Sequence, residues 1–340
     1  CFERSKYSRR SSFYVKLFES SSIAGGLASG IVNAPGKMRI YRHDIVHRVK
    51  KWTRENYLCS MNGDFYIVSF EKVWHSFEKL LKEHKIHMKS QDTLVVIPSR
   101  LAATRLPNKP LADIHGKPMI VHVWEKAVQA DLGPVVVACA DEEIVQAIQA
   151  FGGEAVLTDP ALPSGTDRVK AAADLYDAEE KYHFIINIQG DLPTIDASII
   201  PHVLDPFSNP AVDIATLGTP IKDPKELKDP ATVKIAVSRE GNDGVGRALY
   251  FSRNPIPSGE GEHYHHIGLY AFKRDALNKF VSLPLNALEL REKLEQLRAL
   301  AHGMRIDVKI IETEAPFGVD TAADLKKAIQ VIGESYMCKP

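Results

Sequence analysis

The sequence predicts an α/β protein with a doubly wound, mostly parallel sheet and a smaller antiparallel subdomain in its later half. Three observations carry this. Beyond about residue 90, short apolar runs alternate with stretches of helical periodicity, the rhythm of strand–helix–strand units. The runs Thr93 to Pro98 (TLVVIP) and Phe184 to Ile188 (FIINI) are apolar almost throughout, as strands buried on both faces are. After residue 210 the predicted strands follow one another with few helices between them.

The elements follow in order. The strand from Thr93 is succeeded by a polar loop, Ser99 to Lys109. A helix is predicted from Lys117 to Ala130, with Met119, Ile120, Val123, Trp124 and Val128 at helical spacing. Pro134 to Ala138 is a second buried strand. Asp141 caps a helix running to Phe151, and Ala155 to Leu157 is a short strand. Gly165-Thr166-Asp167 opens a helix from Arg168 to Tyr176. The strand FIINI then ends at Gln189-Gly190-Asp191. Ile214–Thr219, Val233–Val237, Arg247–Phe251 and Ile267–Phe272 are the later strands, and about 210–285 is the smaller subdomain. Leu288 to His302 forms one long helix and Arg305 to Ile311 a strand. Thr321-Ala-Ala-Asp324 is a capping pattern for a closing helix.

Composition bounds the rest. The chain has 340 residues, 44% hydrophobic and 25% charged, which excludes wholesale disorder and suggests about two domains. Cys1, Cys59, Cys139 and Cys338 are too few and too scattered for a disulfide framework or a CxxC metal site, which favours a reducing, cytoplasmic location. No run of eighteen apolar residues exists, so no membrane span is expected. The net charge of zero hides a split. Residues 1–90 hold 17 Lys and Arg against 8 Asp and Glu, and residues 91–340 hold 26 against 35.

Residues 1–87 form a basic extension that opens on Cys1 rather than Met. A basic helix is expected over 40–57, a strand over 66–70 and a helix over 73–84, with no motif joining them. A targeting presequence, an anionic-membrane or nucleic-acid arm, and translated sequence upstream of a start at Met88 all fit the composition. The last is the favoured expectation, and residues 88–340 are expected to carry the function.

Four groups carry chemistry. Arg100, Arg105 and Lys109 follow the first strand, where ligands bind in such sheets, and could clamp a triphosphate. A solvated loop explains their charge equally well. Neither GxxxxGKS/T nor GxGxxG occurs, which disfavours a P-loop ATPase or an ordinary dehydrogenase. Asp191 at a strand end could hold Mg²⁺ against phosphates, or merely cap a turn. Asp320 could be a second ligand, or the capping acid of the last helix. Glu262-His263-Tyr264-His265-His266 matches no zinc spacing, and a His aimed at a polar substrate is preferred.

The run Val95 to Ala127 (VVIPSRLAATRLPNKPLADIHGKPMIVHVWEKA) resembles the opening of the 3-deoxy-manno-octulosonate cytidylyltransferases. Further matching runs follow in order: Ser164 to Arg168, Asn187 to Asp191, Ala248 to Arg253, His266 to Tyr270, Leu294 to Arg298, and Gly318 to Thr321. The resemblance spans about residues 92–335. It implies a nucleotide-diphospho-sugar transferase type of sheet. It also implies transfer of CMP from CTP to the acid sugar Kdo, with Mg²⁺ and release of pyrophosphate, for lipopolysaccharide assembly. A homodimer is implied, without a nucleic-acid partner. On this resemblance Arg100, Lys109 and Asp191 are catalytic. Arg100, Arg105, Lys109, Ser164, Gly165 and Thr166 hold the nucleotide. Gln189, Arg253, His266, Tyr270, Glu295 and Gln296 surround the sugar, and Asp191 and Asp320 bind the metal. Pro163, Leu192 and His265 stand where the family commonly has Gln, Glu and Arg. The rival expectations are a cytidylyltransferase for another acid sugar, such as sialic acid, and a non-catalytic nucleotide-binding protein.

Overall fold

The computed structural model describes residues 92–102, 105–239 and 243–337, together with four short strands nearer the start of the chain. The chain divides into two compact units, Cys1–Ile86 and His87–Pro340. In the first, Phe2–Glu3 pairs antiparallel with Tyr14–Val15, and Tyr57–Met61 with Asp64–Val68. The strand expected over 66–70 therefore sits at Asp64–Val68. Tyr57, expected to end a basic helix, begins a strand. The rest of that helix and the one over 73–84 lie outside the described residues.

The elements of the second unit are numbered from its first strand. β1 (Thr93–Ser99), β2 (Val135–Cys139), β3 (Glu154–Leu157) and β4 (Phe184–Ile188) pair in parallel, in the order β4–β1–β2–β3. Between them run α1 (Met119–Gln129), α2 (Glu142–Ala150) and α3 (Gly165–Tyr176). Alternate residues of β1 explain the layering. Val95 and Ile97 face Ile120, Val123, Ile144 and Ile148, whereas Leu94 and Val96 face Val169, Ala172 and Ala173. Both faces are covered, which is why these strands are apolar along their length.

The expectation of a mostly parallel sheet with a separate antiparallel subdomain is corrected here. One nine-stranded mixed sheet holds every later strand too. These are β5 (Ile214–Pro220), β6 (Lys234–Ser238), β7 (Val245–Ser252), β8 (Tyr264–Lys273) and β9 (Ile306–Ile310). β8 runs antiparallel to β4, β5 and β6, and β6 to β7, while β9 pairs antiparallel with β7 and parallel with β5. The reason is the length of the connections. A parallel neighbour needs a long crossover, and the link from β6 to β7 is only a few residues. Ten-residue β8 is shared between both halves, so β5, β9, β7, β6 and β8 close into a ring against the parallel strands.

The predicted single helix over 288–302 is also corrected. It is two short helices, α6 (Ala287–Glu292) and α7 (Gln296–Ala301), after α4 (Pro224–Lys228) and α5 (Arg274–Ser282). Lys293 adopts a left-handed conformation, φ 56°, and ends α6. Apolar spacing continues across the break, so periodicity alone does not reveal it. Arg298 holds the elbow closed. Its Nε donates to Glu289 Oε2 at 2.9 Å and its second terminal nitrogen to Oε1 at 2.6 Å, and both residues are buried. Glu289 also closes the capping box of α6 on Asn286. α8 (Ala322–Met337) completes the unit, capped by Thr321 and Asp324 as the sequence pattern predicts.

A buried ion pair that loses one partner leaves an uncompensated charge. Arg298→Met is therefore expected to cost about 3 kcal/mol in denaturant unfolding. The double variant Glu289→Gln, Arg298→Met should lose less than the sum of its single losses. A loss below about 1 kcal/mol for Arg298→Met would place this pair with surface ion pairs and remove it as the clamp of the elbow.

Candidate active site

β1 and β4 lie side by side and end at the same edge of the sheet. Gly190, just beyond β4, passes so near β1 that a Cβ there would stand 2.7 Å from the Pro98 carbonyl oxygen. Only glycine permits that approach. The chain then turns, and the Val319 N–H donates to the Asp191 carbonyl at 2.9 Å. Val319 is fully buried, packed with Ile114, Met119, Ala328 and Ile332. This anchors Asp320 beside Asp191.

A cleft of about 390 Å³ opens at these strand ends. The Lys109 ammonium lies 3.0 Å from Asp191 Oδ2 and 3.0 Å from Asp320 Oδ1. Burial acts against its charge, but the two carboxylates together outweigh burial and hold its pKa above the ordinary lysine value. Arg105 reaches Asp320 Oδ2 at 3.0 Å. The two carboxylates thus converge on one cationic point, a donor set suited to a hard divalent ion that completes its shell with phosphate and water. Among the described residues no group of three or more His, Cys, Asp or Glu gathers to hold a metal.

Arg100 is exposed at the cleft, where the Leu101 N–H donates to Asp141 Oδ2 at 2.7 Å. Asp141 therefore precedes α2 as predicted, but its carboxylate braces the loop after β1 instead of capping the helix. Ser164 and Gly165 line the opposite wall. Ser164 caps α3 by accepting from the Asp167 N–H at 3.2 Å. Its hydroxyl also lies 2.6 Å from Asp167 Oδ2 and 2.7 Å from Glu295 Oε1. Thr166 donates to Glu295 Oε2 at 3.0 Å. Burial, with help from Asp167, raises the pKa of Glu295 despite those hydroxyls and Arg298.

The predicted sugar residues gather mainly outside this cleft. Gln189 lines it and donates to Asn187 Oδ1 at 3.1 Å. Tyr270 stands opposite Asn187 across β4 and β8 and lies against His266, ring centroids 5.2 Å apart. Thr216 gives its single hydroxyl proton to the Leu269 carbonyl at 2.8 Å, so His266 Nε2, 3.0 Å away, is the donor to Thr216 Oγ1. That leaves Nδ1 as the acceptor of a neutral ring, which burial pushes down to a pKa of about 3. Arg253 donates from Nε to the Glu292 carbonyl at 3.0 Å and from a terminal nitrogen to the Pro230 carbonyl at 2.9 Å. Gln296 is buried, and its Nε2 has no partner. Unpartnered buried donors are uncommon and are suited to a ligand.

Two features were not singled out from the sequence. Arg168 lines the cleft yet is almost fully buried, donating to Thr158 Oγ1 at 2.5 Å and to the Asp159 carbonyl at 3.2 Å. The signal for it was an arginine on the apolar face of α3, with Val169, Ala172 and Ala173. Ser99 Oγ and Asn187 Nδ2 are buried without partners at the ends of β1 and β4. The remaining histidines of the cluster bind protein groups: His265 Nδ1 lies 2.6 Å from Glu226 Oε1, and His263 Nε2 3.0 Å from the Pro257 carbonyl.

A family model described as cytidylyltransferase matches residues 94–306. The 3-deoxy-manno-octulosonate cytidylyltransferase of Paramagnetospirillum magneticum is 57% identical over 235 residues, covering 69% of this chain and 95% of the relative. That of Rhodospirillum centenum is 57% identical over 250 residues, covering 74% and 97%. The chain belongs to the 3-deoxy-manno-octulosonate cytidylyltransferase family. A solved structure of a CMP:2-keto-3-deoxy-manno-octonic acid synthetase complexed with CTP is also similar. It is 38% identical, covers 72% of this chain and 99% of that one, and gives a TM-score of 0.65.

In this cytidylyltransferase the three departures from the family pattern have different surroundings. Leu192 is buried in the apolar core below the cleft, Pro163 is exposed, and His265 meets Glu226. No helix among the described residues is long and apolar enough to cross a membrane.

Because the His266 ring pKa is about 3, it stays neutral through the pH range of ordinary assays. Nitrogen-15 NMR of the imidazole is expected to show a protonated Nε2, a bare Nδ1 and no titration between roughly pH 5 and 8. A midpoint inside that window, or the opposite tautomer, would contradict the Thr216 assignment.

Proposed function

We infer that this enzyme transfers CMP from CTP to 3-deoxy-D-manno-octulosonate and releases pyrophosphate. The observation that carries the reading is one cleft in which the cations of the β1 loop meet a convergent pair of carboxylates. In-line attack by the anomeric hydroxyl forms a bond to the α-phosphorus and breaks the bond to the bridging oxygen. Negative charge then builds on the phosphate oxygens and on the leaving pyrophosphate. Arg100, Arg105 and Lys109 supply the donors that offset it, Arg as a fork and Lys as a point charge. Ser164, Gly165 and Thr166 border the nucleotide on the side of α3. Asp191 and Asp320 are the residues that would hold Mg²⁺, which when bound neutralises phosphate charge.

Gln189, Arg253, His266, Tyr270, Glu295 and Gln296 form the sugar side in this reading. Arg253 keeps N–H groups beyond those given to backbone carbonyls and suits the sugar carboxylate. His266 Nδ1, Glu295 and Gln296 suit its hydroxyls. The reading carries with it a cytoplasmic enzyme acting as a homodimer, with a product used in lipopolysaccharide assembly.

The test is pyrophosphate release by the full chain with CTP and Mg²⁺, comparing Kdo with sialic acid. Release with Kdo alone is expected. Release with sialic acid alone would assign a different acid sugar, and none with either from folded, CTP-binding protein would favour a non-catalytic role. Asp191→Asn is expected to lower Mg²⁺-dependent turnover by at least about a hundredfold. Unchanged turnover in that variant would remove Asp191 from the metal site.

A further inference from the structure

We propose that Lys234 is a positioning residue that sets Arg253 and the carboxylate-binding side of the sugar site. The proposal rests on the reading of Arg253 as the partner of the sugar carboxylate.

Lys234, at the start of β6, has no solvent exposure. Its ammonium donates to the carbonyls of Asp229 at 2.6 Å, Thr232 at 2.7 Å and Arg253 at 2.9 Å. Three donors meet three acceptors, so the group is satisfied. None of the acceptors is a carboxylate, and burial lowers the pKa of Lys234 against the pull of Asp229 and Glu226. A buried ammonium without an ion-pair partner is costly, and an apolar side chain would fill the same space without desolvating a charge. The position therefore calls for its donors.

Those donors gather the surroundings of one arginine. One holds the backbone of Arg253 itself. The other two hold the turn at 229–232, and Pro230 within that turn accepts from the Arg253 guanidinium. From the far side, the Glu292 carbonyl of the elbow accepts from Arg253 Nε. Arg253 is thus fixed between a lysine-tied turn and the elbow that carries Glu295 and Gln296. Lys234 also pairs in register with His265, the neighbour of His266. The Arg253 charge disfavours that of Lys234, so an anion received by Arg253 offsets the repulsion on Lys234.

The experiment measures kcat and KM for Kdo and for CTP in full-length Lys234→Met, Arg253→Met and the double variant, with thermal unfolding as the folding control. Lys234→Met is expected to raise the KM for Kdo by about tenfold or more while the KM for CTP changes less than about twofold. In the Arg253→Met background the same change should add less than about twofold, because its route is already cut. Arg253→Met that leaves the KM for Kdo unchanged overturns the reading of Arg253. Arg253→Met that raises it, beside a folded Lys234→Met that does not, overturns the proposal for Lys234 alone. Equal effects of Lys234→Met on both substrates overturn it as well. If Lys234→Met does not fold, Lys234→Gln, which keeps two donors, is judged by the same limits. Failure of both to fold would assign Lys234 to the fold instead.

Discussion

The site depends on one backbone contact, the Val319 N–H on the Asp191 carbonyl. It joins the turn after β4 to the turn before α8, two segments far apart in the chain. Each side has its own support. Gly190 brings the first turn against β1, and buried Val319 pins the second to a small apolar cluster. The side chains follow from that contact. Asp191 and Asp320 come to face one point, Lys109 is held between them, and Arg105 reaches Asp320 from the same polar loop after β1.

Three of the buried cations among the described residues, Arg298, Arg168 and Lys234, are satisfied in different ways. Arg298 has a carboxylate in a paired, forked arrangement. Arg168 has a hydroxyl and a carbonyl, and Lys234 has carbonyls only. The order runs from neutralised charge to charge retained. The retained charges stand beside Arg100 and Arg253, the residues read as partners of a phosphate and of a carboxylate. A low-dielectric setting strengthens the field of such charges on an incoming anion.

The sequence makes legible what local chemistry dictates. The strands β1 and β4 follow from apolar runs that no half-exposed strand would carry, and the cap of α8 from Thr321 and Asp324. What escapes it are features set by tertiary partners. Lys293 breaks a helix whose apolar spacing continues through the break, because the Arg298–Glu289 pair favours the elbow. β8 joins the parallel and antiparallel strands, which its own residues do not announce. The loop cations, Asp191 and Asp320 are legible as candidates, and the motif order points to the family on which their proposed chemistry rests. Their meeting at Lys109 is not, because no local pattern encodes the Val319 contact. Arg168 escapes the sequence because its partners, Thr158 and Asp159, lie outside its own helix.

Glu295 extends one oxygen to Ser164 and the other to Thr166, across the boundary between the proposed nucleotide wall and the proposed sugar side. Ser164 has a single proton for two carboxylates, so Asp167 and Glu295 compete for it. The carboxylate is consequently a strut whose tension both compartments share. By linkage, a molecule that slackens the strut from one compartment changes affinity in the other, and the second changes the first by the same factor. Two ligands bound to this protein would therefore be thermodynamically acquainted before any bond forms between them.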